Sequence, residues 1–405
     1  GDVYKRQVSF FMVSVSLFAQ QRNCGTMEVL ERQLQKDPGM AQRMAQIEAH
    51  TQNYIQNAPN YSVNAEVLYV PIVVHVVWNT ANPAENLSDE QIQSQIDVIY
   101  KDFRRLNDDA DGTWPQAADM EIEFYLAQVD PDGNPTNGIT RTESSVMAWT
   151  SDDQIKFTAN GGKDAWDTTR YFNFWVGNLS GGLLGYAQFP GGTPNTDGIV
   201  MTSGCFGSVV DDVNGDFYFE YPGLYDKGRT VTHEMGHFFN LFHIWGDDGG
   251  GCSGTDLADD TPNQAGSTGG CPSGVQTDAC ATAAPGYMYQ NYMDYTNDAC
   301  MNLFTEDQKA RMRATLEAGG PRETLAQAPF EYQMALASPS LDICAPADAV
   351  YDFTYNTFDG FSDNTDFSAS GLPTGATVVF SPASASASGT AVTLTVSGLG
   401  GVAVG

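Results

Sequence analysis

A short histidine-rich stretch, HEMGHFFNLFH at 233–243, constrains this chain more than any other feature. His233 and His237 are four residues apart, so on a helix both imidazoles lie on one face, within reach of a single ion. Glu234 projects beside the first histidine, where its carboxylate can take a proton from water. Zinc accepts neutral imidazole, and its catalytic sites use three protein ligands and one open position. The stretch therefore predicts a catalytic zinc centre, against the alternative of a buried helix with incidental polar residues.

His243 is the predicted third ligand, although it lies six residues after His237 and a straight helix would turn it away. The chain must therefore bend sharply after His237. In metzincins the motif H-E-x-x-H-x-x-G-x-x-H supplies a glycine for that bend and is followed by a methionine turn. Asn240 stands at the glycine position here. Asparagine is the non-glycine residue best able to adopt left-handed backbone angles, so we expect the bend at some conformational cost.

The second half of the signature lies at 291–295, NYMDY, where Met293 would form the hydrophobic floor beneath the metal. With HEMGHFFNLFH, a cysteine-rich acidic loop and NYMDY in this order, residues 65–320 resemble the pappalysin (ulilysin-like) family of metzincins. The resemblance implies an α/β (α+β) metzincin-like domain with a mixed twisted sheet, a zinc helix and an irregular, disulfide-linked lower subdomain. It also implies a secreted zinc endopeptidase that acts on protein or peptide substrates.

The resemblance gives each site residue a role. His233, His237 and His243 would hold zinc, which activates water, and Glu234 would accept the proton and pass it to the leaving amine. Tyr295 matches the tyrosine that stabilises the tetrahedral oxyanion in the family.

Some family members select a basic residue just after the cut, through an acid on the loop that follows the methionine turn. Asp298 lies on that loop. Ala299 directly precedes Cys300, so the sequence leaves this specificity unassigned.

The segment 20–64 carries Cys24 in RNCGT and good helix formers that predict a helix over 27–56, with His50 on its solvent face. Metzincin zymogens often use a pro-segment cysteine as a fourth zinc ligand, and a thiolate binds zinc well. The resemblance therefore makes Cys24 the candidate latency switch, and removal of the segment would activate the enzyme. The alternative is an unpaired or intermolecular cysteine.

Two short leaders precede this segment. Residues 1–7, GDVYKRQ, look non-native, because one reverse translation resembles a sequencing-adapter end. Residues 8–19 form an apolar run that ends in Ala19 and predicts the remnant of a secretory signal peptide, with a buried strand as the alternative. The run is too short to span a bilayer, and no other stretch of the sequence is long and apolar enough. We expect an extracellular protein without stable membrane insertion.

The charge balance restricts the partners. Lysine and arginine number 19 against 50 aspartates and glutamates, a formal net charge of −31. Nucleic acid would be repelled by such a surface, so we expect no nucleic-acid partner. The balance suits an extracellular protein that binds calcium through carboxylates. The oligomeric state stays open.

The catalytic domain is predicted to span 65–328. Its predicted strands lie at 67–77, 122–130, 171–179, 182–190 and 198–203. The strand at 182–190 fits the sheet edge, where metzincins bind extended substrate by strand addition. His75, inside the first strand, is expected to be a hydrogen-bonded core residue.

Two helices of this domain have clear start signals. The amphipathic stretch 87–107 has Ser88 as its N-cap, with Gln91 completing a capping box. The closing helix at 304–317 has Thr305 as its N-cap.

Four cysteines mark the irregular region that follows the zinc helix: Cys252, Cys271, Cys280 and Cys300. In a secreted chain they should form disulfides, and the sequence alone allows three pairings. The family resemblance favours Cys252–Cys280 and Cys271–Cys300, which would tie the loop to the methionine turn. A structural zinc site is the alternative, although C-x-x-C spacing is absent. Cys205 is left as a buried thiol.

An acidic turn, TDLADDTP, lies in the same loop. Hard oxygen ligands on a glycine-rich turn suit Ca²⁺. The resemblance assigns Asp256, Asp260 and Thr261 to a structural calcium site. The alternative is a solvated acidic turn.

The composition changes after a predicted linker at 329–343. Residues 344–405 are rich in small and β-branched residues and contain alternating runs such as AVTLTVSG. They predict a partial all-β, immunoglobulin-like sandwich without catalytic residues. Its last strands are expected to be missing, and Cys344 is expected to have lost its partner.

Two other functions remain open. A calcium-dependent surface adhesin would use the metal for structure only, but such a site needs no base beside it, and Glu234 is present. A zinc amidase acting on cell-wall peptides would share the chemistry. The metzincin-length motif together with NYMDY argues against the amidase.

Overall fold

The computed structural model describes residues 22–57, 67–326, 332–336, 347–357 and 362–401. Three predictions fall outside the described residues, namely those for 1–7, 8–19 and Cys344. The chain divides into two compact units, Gly1–Gln327 and Ala328–Gly405, each with its own hydrophobic core. No helix in the described part of the chain has both the length and the apolarity that crossing a membrane requires.

A mixed six-stranded sheet forms the centre of the first unit. Its strands are β1 (Leu68–Trp78), β2 (Ile122–Leu126), β3 (Ile139–Glu143), β4 (Phe172–Gly177), β5 (Gly185–Ala187) and β6 (Ile199–Thr202). The order is β2–β1–β4–β6–β5, with β3 paired to β1 alongside. All pairs are parallel except β5 with β6. β1 is buried over most of its length, as a central parallel strand covered on both faces should be.

The five predicted strands are confirmed, β1 one residue further along the chain and the other four within narrower bounds, and β5 lies at the edge as expected. β3 was not predicted, because its sequence, ITRTE, is polar and only partly buried. His75 is a core residue, as predicted. Its ring nitrogens lie 2.7 Å from Thr140 Oγ1 and 2.9 Å from Asn173 Oδ1.

The helices of this unit are α1 (Thr26–Lys36), α2 (Met40–Asn57), α3 (Asp89–Phe103), α4 (Arg229–Phe238), α5 (Glu306–Leu316) and α6 (Glu323–Ala326). The single helix predicted over 27–56 is wrong, because Asp37 is extended before Pro38 and separates α1 from α2. The solvent-facing position predicted for His50 is also wrong. Its Nε2 lies 3.0 Å from the carbonyl oxygen of Ala314, because α2 packs on α5.

The predicted N-caps are present, with one difference. Ser88 Oγ accepts from the backbone N–H of Gln91 at the start of α3. The Gln91 side chain does not close the box, because it donates to the carbonyl of Phe206 and accepts from the N–H of Tyr218. Thr305 caps α5 in a complete capping box.

The region between α4 and α5 contains almost no regular structure, as predicted. Its shape is held by the two disulfides, Cys252–Cys280 and Cys271–Cys300, which are the pairs that the family resemblance favoured. Cys205 is a buried free thiol.

The second unit contains antiparallel sheet. Its strands are β7 (Tyr332–Leu336), β8 (Ala349–Thr357), β9 (Thr365–Asp366), β10 (Thr377–Ser381), β11 (Ser384–Ala385) and β12 (Thr390–Ser397). Four form one sheet, in the order β10–β12–β8–β7, and β9 pairs with β11. β7 lies inside the range predicted as linker, 329–343, because its backbone pairs with β8. The immunoglobulin-like assignment stays a prediction.

Candidate metal centre

Helix α4 and the bend after it bring the three histidines of the motif together. His233 and His237 lie on one face of α4, and every residue of this helix is buried. The helix ends where Asn240 adopts a φ of 70°, in the left-handed region. The N–H of Leu241 then donates to the carbonyl of Gly236, which closes the turn. His243 returns so that its Nε2 lies 3.1 Å from Nε2 of His237.

The metal-ligating atoms of Cys24, His233, His237 and His243 all lie within 4.8 Å of one another. Across the described residues, this is the only group of three or more histidine, cysteine or acidic side chains that could hold a metal ion. Nε2 of His233 is buried without a hydrogen-bond partner in the described part of the chain. The edge of a tetrahedral site with zinc–nitrogen bonds of 2.0–2.1 Å is about 3.3 Å, close to the His237–His243 separation.

The protonation of these rings also suits a metal. Burial lowers the pKa of His233 and His237 well below the usual value, so both rings are neutral. Nδ1 of His233 lies 2.7 Å from the carbonyl oxygen of Tyr292, and Nδ1 of His237 lies 2.8 Å from that of Leu241. Each Nδ1 therefore donates to a carbonyl, and each Nε2 keeps its lone pair. An orphaned buried nitrogen, neutral rings and this donor set together fit zinc.

The turn that carries Met293 packs against helix α4, between the positions of His233 and His237. Met293 is fully buried, and a Cβ at Gly236 would clash with its sulfur. The helix and the turn can approach this closely only because residue 236 is glycine.

Tyr295 lies beside the same rings. Its ring centroid is 5.0 Å from that of His243 and 5.6 Å from that of His233. Burial, reinforced by the nearby Cys24 and Glu234, raises the pKa of Tyr295 far above its usual value. Its hydroxyl is therefore protonated and can donate a hydrogen bond.

Glu234 is buried at the same site, and burial raises the pKa of its carboxyl to about 7. Thr26 Oγ1 donates to Glu234 Oε2 at 2.8 Å, and Cys24 Sγ lies 3.5 Å from the same oxygen. Among the described residues, Oε1 of Glu234 has no hydrogen-bond partner.

The N-terminal segment pairs with the edge of the sheet above the histidines. The N–H of Leu184 donates to the carbonyl of Asn23, and the N–H of Gly25 donates to that of Gly185, both at 2.9 Å. The bridge between Cys24 and Gly185 is parallel. The segment therefore covers the edge of β5 and carries Cys24 to the histidines.

Arg22 was not among the predicted site residues, and its side chain is buried within this same segment. Its guanidinium lies 2.6 Å from Asp298 Oδ1 and donates to Thr230 Oγ1 at 2.8 Å. The guanidinium carbon lies 4.8 Å from the centroid of the Tyr225 ring. Asp298 is fully buried and also accepts from the backbone N–H of Lys227. The available signal was an arginine two residues before the candidate switch cysteine.

The residues assigned to calcium are only partly brought together. Asp256 accepts from Thr261 Oγ1 at 2.8 Å, and burial raises the pKa of Asp256 to about 7. The Asp260 carboxylate turns to the start of α5, where it accepts from Thr305 Oγ1 and from the N–H of Asp307. These contacts give Asp260 a capping role that its spacing from Asp256 did not indicate.

Known proteins resemble this chain across the site. The family Peptidase_M43, pregnancy-associated plasma protein-A, matches residues 152–317. An extracellular metalloprotease of Pyricularia oryzae is 31% identical over 297 residues, which covers 71% of this chain and 86% of that protein.

Solved structures agree with that match. A Tannerella forsythia promirolysin mutant is 46% identical, with a TM-score of 0.67, and the alignment covers 76% of this chain and 97% of the other. Mature mirolysin from the same organism, in complex with a cleaved peptide, is 49% identical with a TM-score of 0.61, over 65% and 97% of the two chains. With the three histidines and the methionine turn assembled as described, this chain belongs to the pappalysin family and is a metalloendopeptidase.

Proposed function

We propose that this protein is a secreted zinc endopeptidase, made as a latent zymogen, in which Glu234 is the general base. The observation that carries the proposal is the convergence of three histidine Nε2 atoms beside a buried carboxylate. Secretion is supported by relatives that are named extracellular metalloproteases and by the two disulfides.

His233, His237 and His243 would hold the zinc ion. The chemistry that zinc supplies when bound is Lewis acidity, which makes water a nucleophile near neutral pH and polarises the scissile carbonyl. Glu234 accepts the proton of that water and later donates it to the leaving amine. The carboxyl group can fill both roles, because it accepts a proton when ionised and donates one when protonated.

Tyr295 is the proposed oxyanion donor. Its hydroxyl stays protonated and its ring lies next to two of the proposed ligands. A donor aimed at the developing negative charge stabilises the transition state more than the substrate.

Latency is proposed to come from the pro-segment at 20–64. Cys24 would be the fourth zinc ligand and would replace the catalytic water. Thr26 engages the carboxylate of Glu234, and backbone pairing with Gly185 occupies the sheet edge that an extended substrate would use. The pro-form of mirolysin among the similar structures supports this interpretation.

A basic side chain just after the cut is the proposed preference of the substrate. The guanidinium of Arg22 already occupies a pocket whose buried acid is Asp298. A substrate arginine entering after release of the pro-segment would find the same carboxylate and the hydroxyl of Thr230.

A structural calcium ion is proposed at Asp256 and Thr261, without the Asp260 carboxylate, which is already used at the start of α5. The support is the buried carboxylate of Asp256, which would ionise readily beside a cation. We further propose a pro-segment at 20–64, a catalytic domain at 65–328 and an immunoglobulin-like domain at 344–405.

The test is the Glu234→Ala variant with casein as the substrate. The variant is produced as the full chain, and its pro-segment is removed by proteolysis before the assay. We expect cleavage to fall by about 10²–10⁴-fold, the usual contribution of a general base, while bound zinc is retained. Glu90→Ala, on the exposed surface of α3, is the matched control and should cleave like the parent. A Glu234→Ala protein that cleaves as fast as the parent would rule out this base. A parent that binds zinc and cleaves nothing would favour a structural metal site.

A further inference from the structure

We propose that Asp247 is a positioning residue for His243, fixing the orientation of this ring so that its Nε2 faces the metal. The inference rests on the proposed zinc centre. It adds a residue that the motif does not contain and that the resemblance does not assign.

The contact between the two side chains is direct. His243 Nδ1 lies 2.9 Å from Oδ1 and 3.0 Å from Oδ2 of Asp247. A carboxylate oxygen accepts a hydrogen bond, so Nδ1 is the ring nitrogen that donates its proton to Asp247. The lone pair is then on Nε2, which lies 3.1 Å from Nε2 of His237.

His243 differs from the other two histidines in how it is held. Nδ1 of His233 and of His237 each donates to a backbone carbonyl, and both residues lie within α4. His243 lies beyond the end of the helix, and its Nδ1 partner is a charged side chain. It is therefore the ligand whose orientation depends most on contacts outside regular structure.

Two contacts define the orientation of the ring. Trp245 stacks on His243 with centroids 4.2 Å apart and planes 8° apart, which sets the plane of the imidazole. Stacking still permits a 180° rotation about the Cβ–Cγ bond, which keeps the plane but exchanges the ring nitrogen and carbon positions. The hydrogen bonds from Nδ1 to Asp247 fix that rotation, so the two contacts together define the direction of the Nε2 lone pair.

The backbone conformation at Gly246 and Asp247 directs the Asp247 carboxylate back to the His243 ring. The N–H of Gly246 donates to the carbonyl of His243 at 2.9 Å, which closes a tight turn. A Cβ at Gly246 would lie 2.6 Å from the backbone nitrogen of Thr255, so this position must be glycine. Asp247 itself has a φ of 49°, in the left-handed region that is costly for non-glycine residues. A strained backbone that makes one specific contact is typical of a functional role.

The carboxylate also has an electronic effect. A carboxylate that accepts from the distal nitrogen of a metal-bound histidine raises the basicity of the ligand. Loss of such a contact typically weakens metal binding by about 10–100-fold. A surface carboxylate that contacts no metal ligand would have no such effect on metal affinity.

The experiment measures zinc affinity by competition with a chromophoric chelator, at fixed pH. It uses the full chain carrying Cys24→Ala, so that only the histidines hold the metal. Asp247→Ala should weaken zinc binding about 10–100-fold, and it should shift the visible absorption bands of the cobalt-substituted protein. Asp247→Asn, which keeps an acceptor of the same shape without the charge, should restore part of the loss. Asp259→Ala removes an exposed carboxylate of the same loop and should bind zinc like the parent.

Three results would overturn the inference. One is an Asp247→Ala protein with the zinc affinity and cobalt spectrum of the parent. Another is an equal loss in Asp259→Ala, which would assign the effect to the charge of the loop. If Asp247→Ala fails to fold, parent-like affinity of Asp247→Asn would equally overturn the role of the charge. A parent chain that binds no zinc is a different result, because it would contradict the proposed zinc centre and not only the role of Asp247.

Discussion

At the scale of a single residue, removal of the Tyr295 hydroxyl gives the sharpest test of the proposed mechanism. Tyr295→Phe removes the proposed oxyanion donor and keeps the ring beside His243 and Trp245. We expect kcat to fall about 10²–10³-fold with little change in KM, because the donor acts on charge that develops in the transition state. Steady-state kinetics on an arginine-containing peptide, with the pro-segment removed, measure this. Tyr100→Phe, at a partly exposed tyrosine of α3, is the control. Unchanged kcat in Tyr295→Phe would remove the tyrosine from the mechanism.

Some of these residues could be predicted from their spacing in the sequence, whereas others could not. The positive φ of Asn240 follows from the need to turn between His237 and His243. Arg22 contacts Asp298 across 276 residues, and no periodicity reports on a pair so distant. Asp247 is only four residues from His243, but the contact forms in a turn, outside the helical spacing that pattern analysis recognises.

At the scale of elements, the contacts of helix α2 of the proposed pro-segment with α5 include a buried ion pair besides the contact of His50. The guanidinium of Arg311 is fully buried and lies 2.9 and 3.0 Å from the two carboxylate oxygens of Glu48. The same guanidinium donates to the carbonyl of Asn240, at the bend before His243. The contact therefore joins the pro-segment to the backbone that positions the proposed third ligand.

This pair predicts that the pro-segment loosens in acid. Burial opposes ionisation of Glu48, but its bonds to Arg311 prevail, and the pKa of Glu48 is lowered from its usual 4.5. Because the pKa is lower when α2 is docked, the pair contributes fully above pH 4.5, and its contribution is lost as the pH falls through the docked value. Hydrogen exchange of α2 amides, relative to those of α3, should therefore speed up in that window.

Glu48→Gln should remove this pH dependence and weaken docking at neutral pH by about 2–3 kcal/mol, because it leaves the Arg311 charge buried without its counter-charge. Glu31→Gln, on the exposed face of α1, is the control and should behave like the parent. Equal acid loosening in the parent and in Glu48→Gln would show that another group is responsible.

The elements themselves were predictable where burial dictates their sequence. β1 is a long apolar run because both its faces are covered. β3 lies beside the same strand but is partly exposed and polar, so backbone pairing alone defines it. The break between α1 and α2 follows from Pro38, whose effect on Asp37 outweighs the helix propensity of the neighbouring residues.

At the scale of the whole molecule, every residue proposed for the site lies in the first compact unit, which ends at Gln327. The histidines come from one helix and its bend, whereas Tyr295 and Asp298 come from the irregular region linked by the disulfides. The folding of the long loop is therefore needed to complete a site whose metal ligands are local in sequence.

The proposed activity requires three histidines that share one zinc ion. The decisive measurement is the zinc content of the purified full chain after dialysis against a strong chelator, for the parent, His237→Ala and His50→Ala. We predict about one zinc per chain in the parent and in His50→Ala, whose ring contacts Ala314 outside the site, and almost none in His237→Ala. Full zinc occupancy in His237→Ala, or a parent without zinc, would contradict the account.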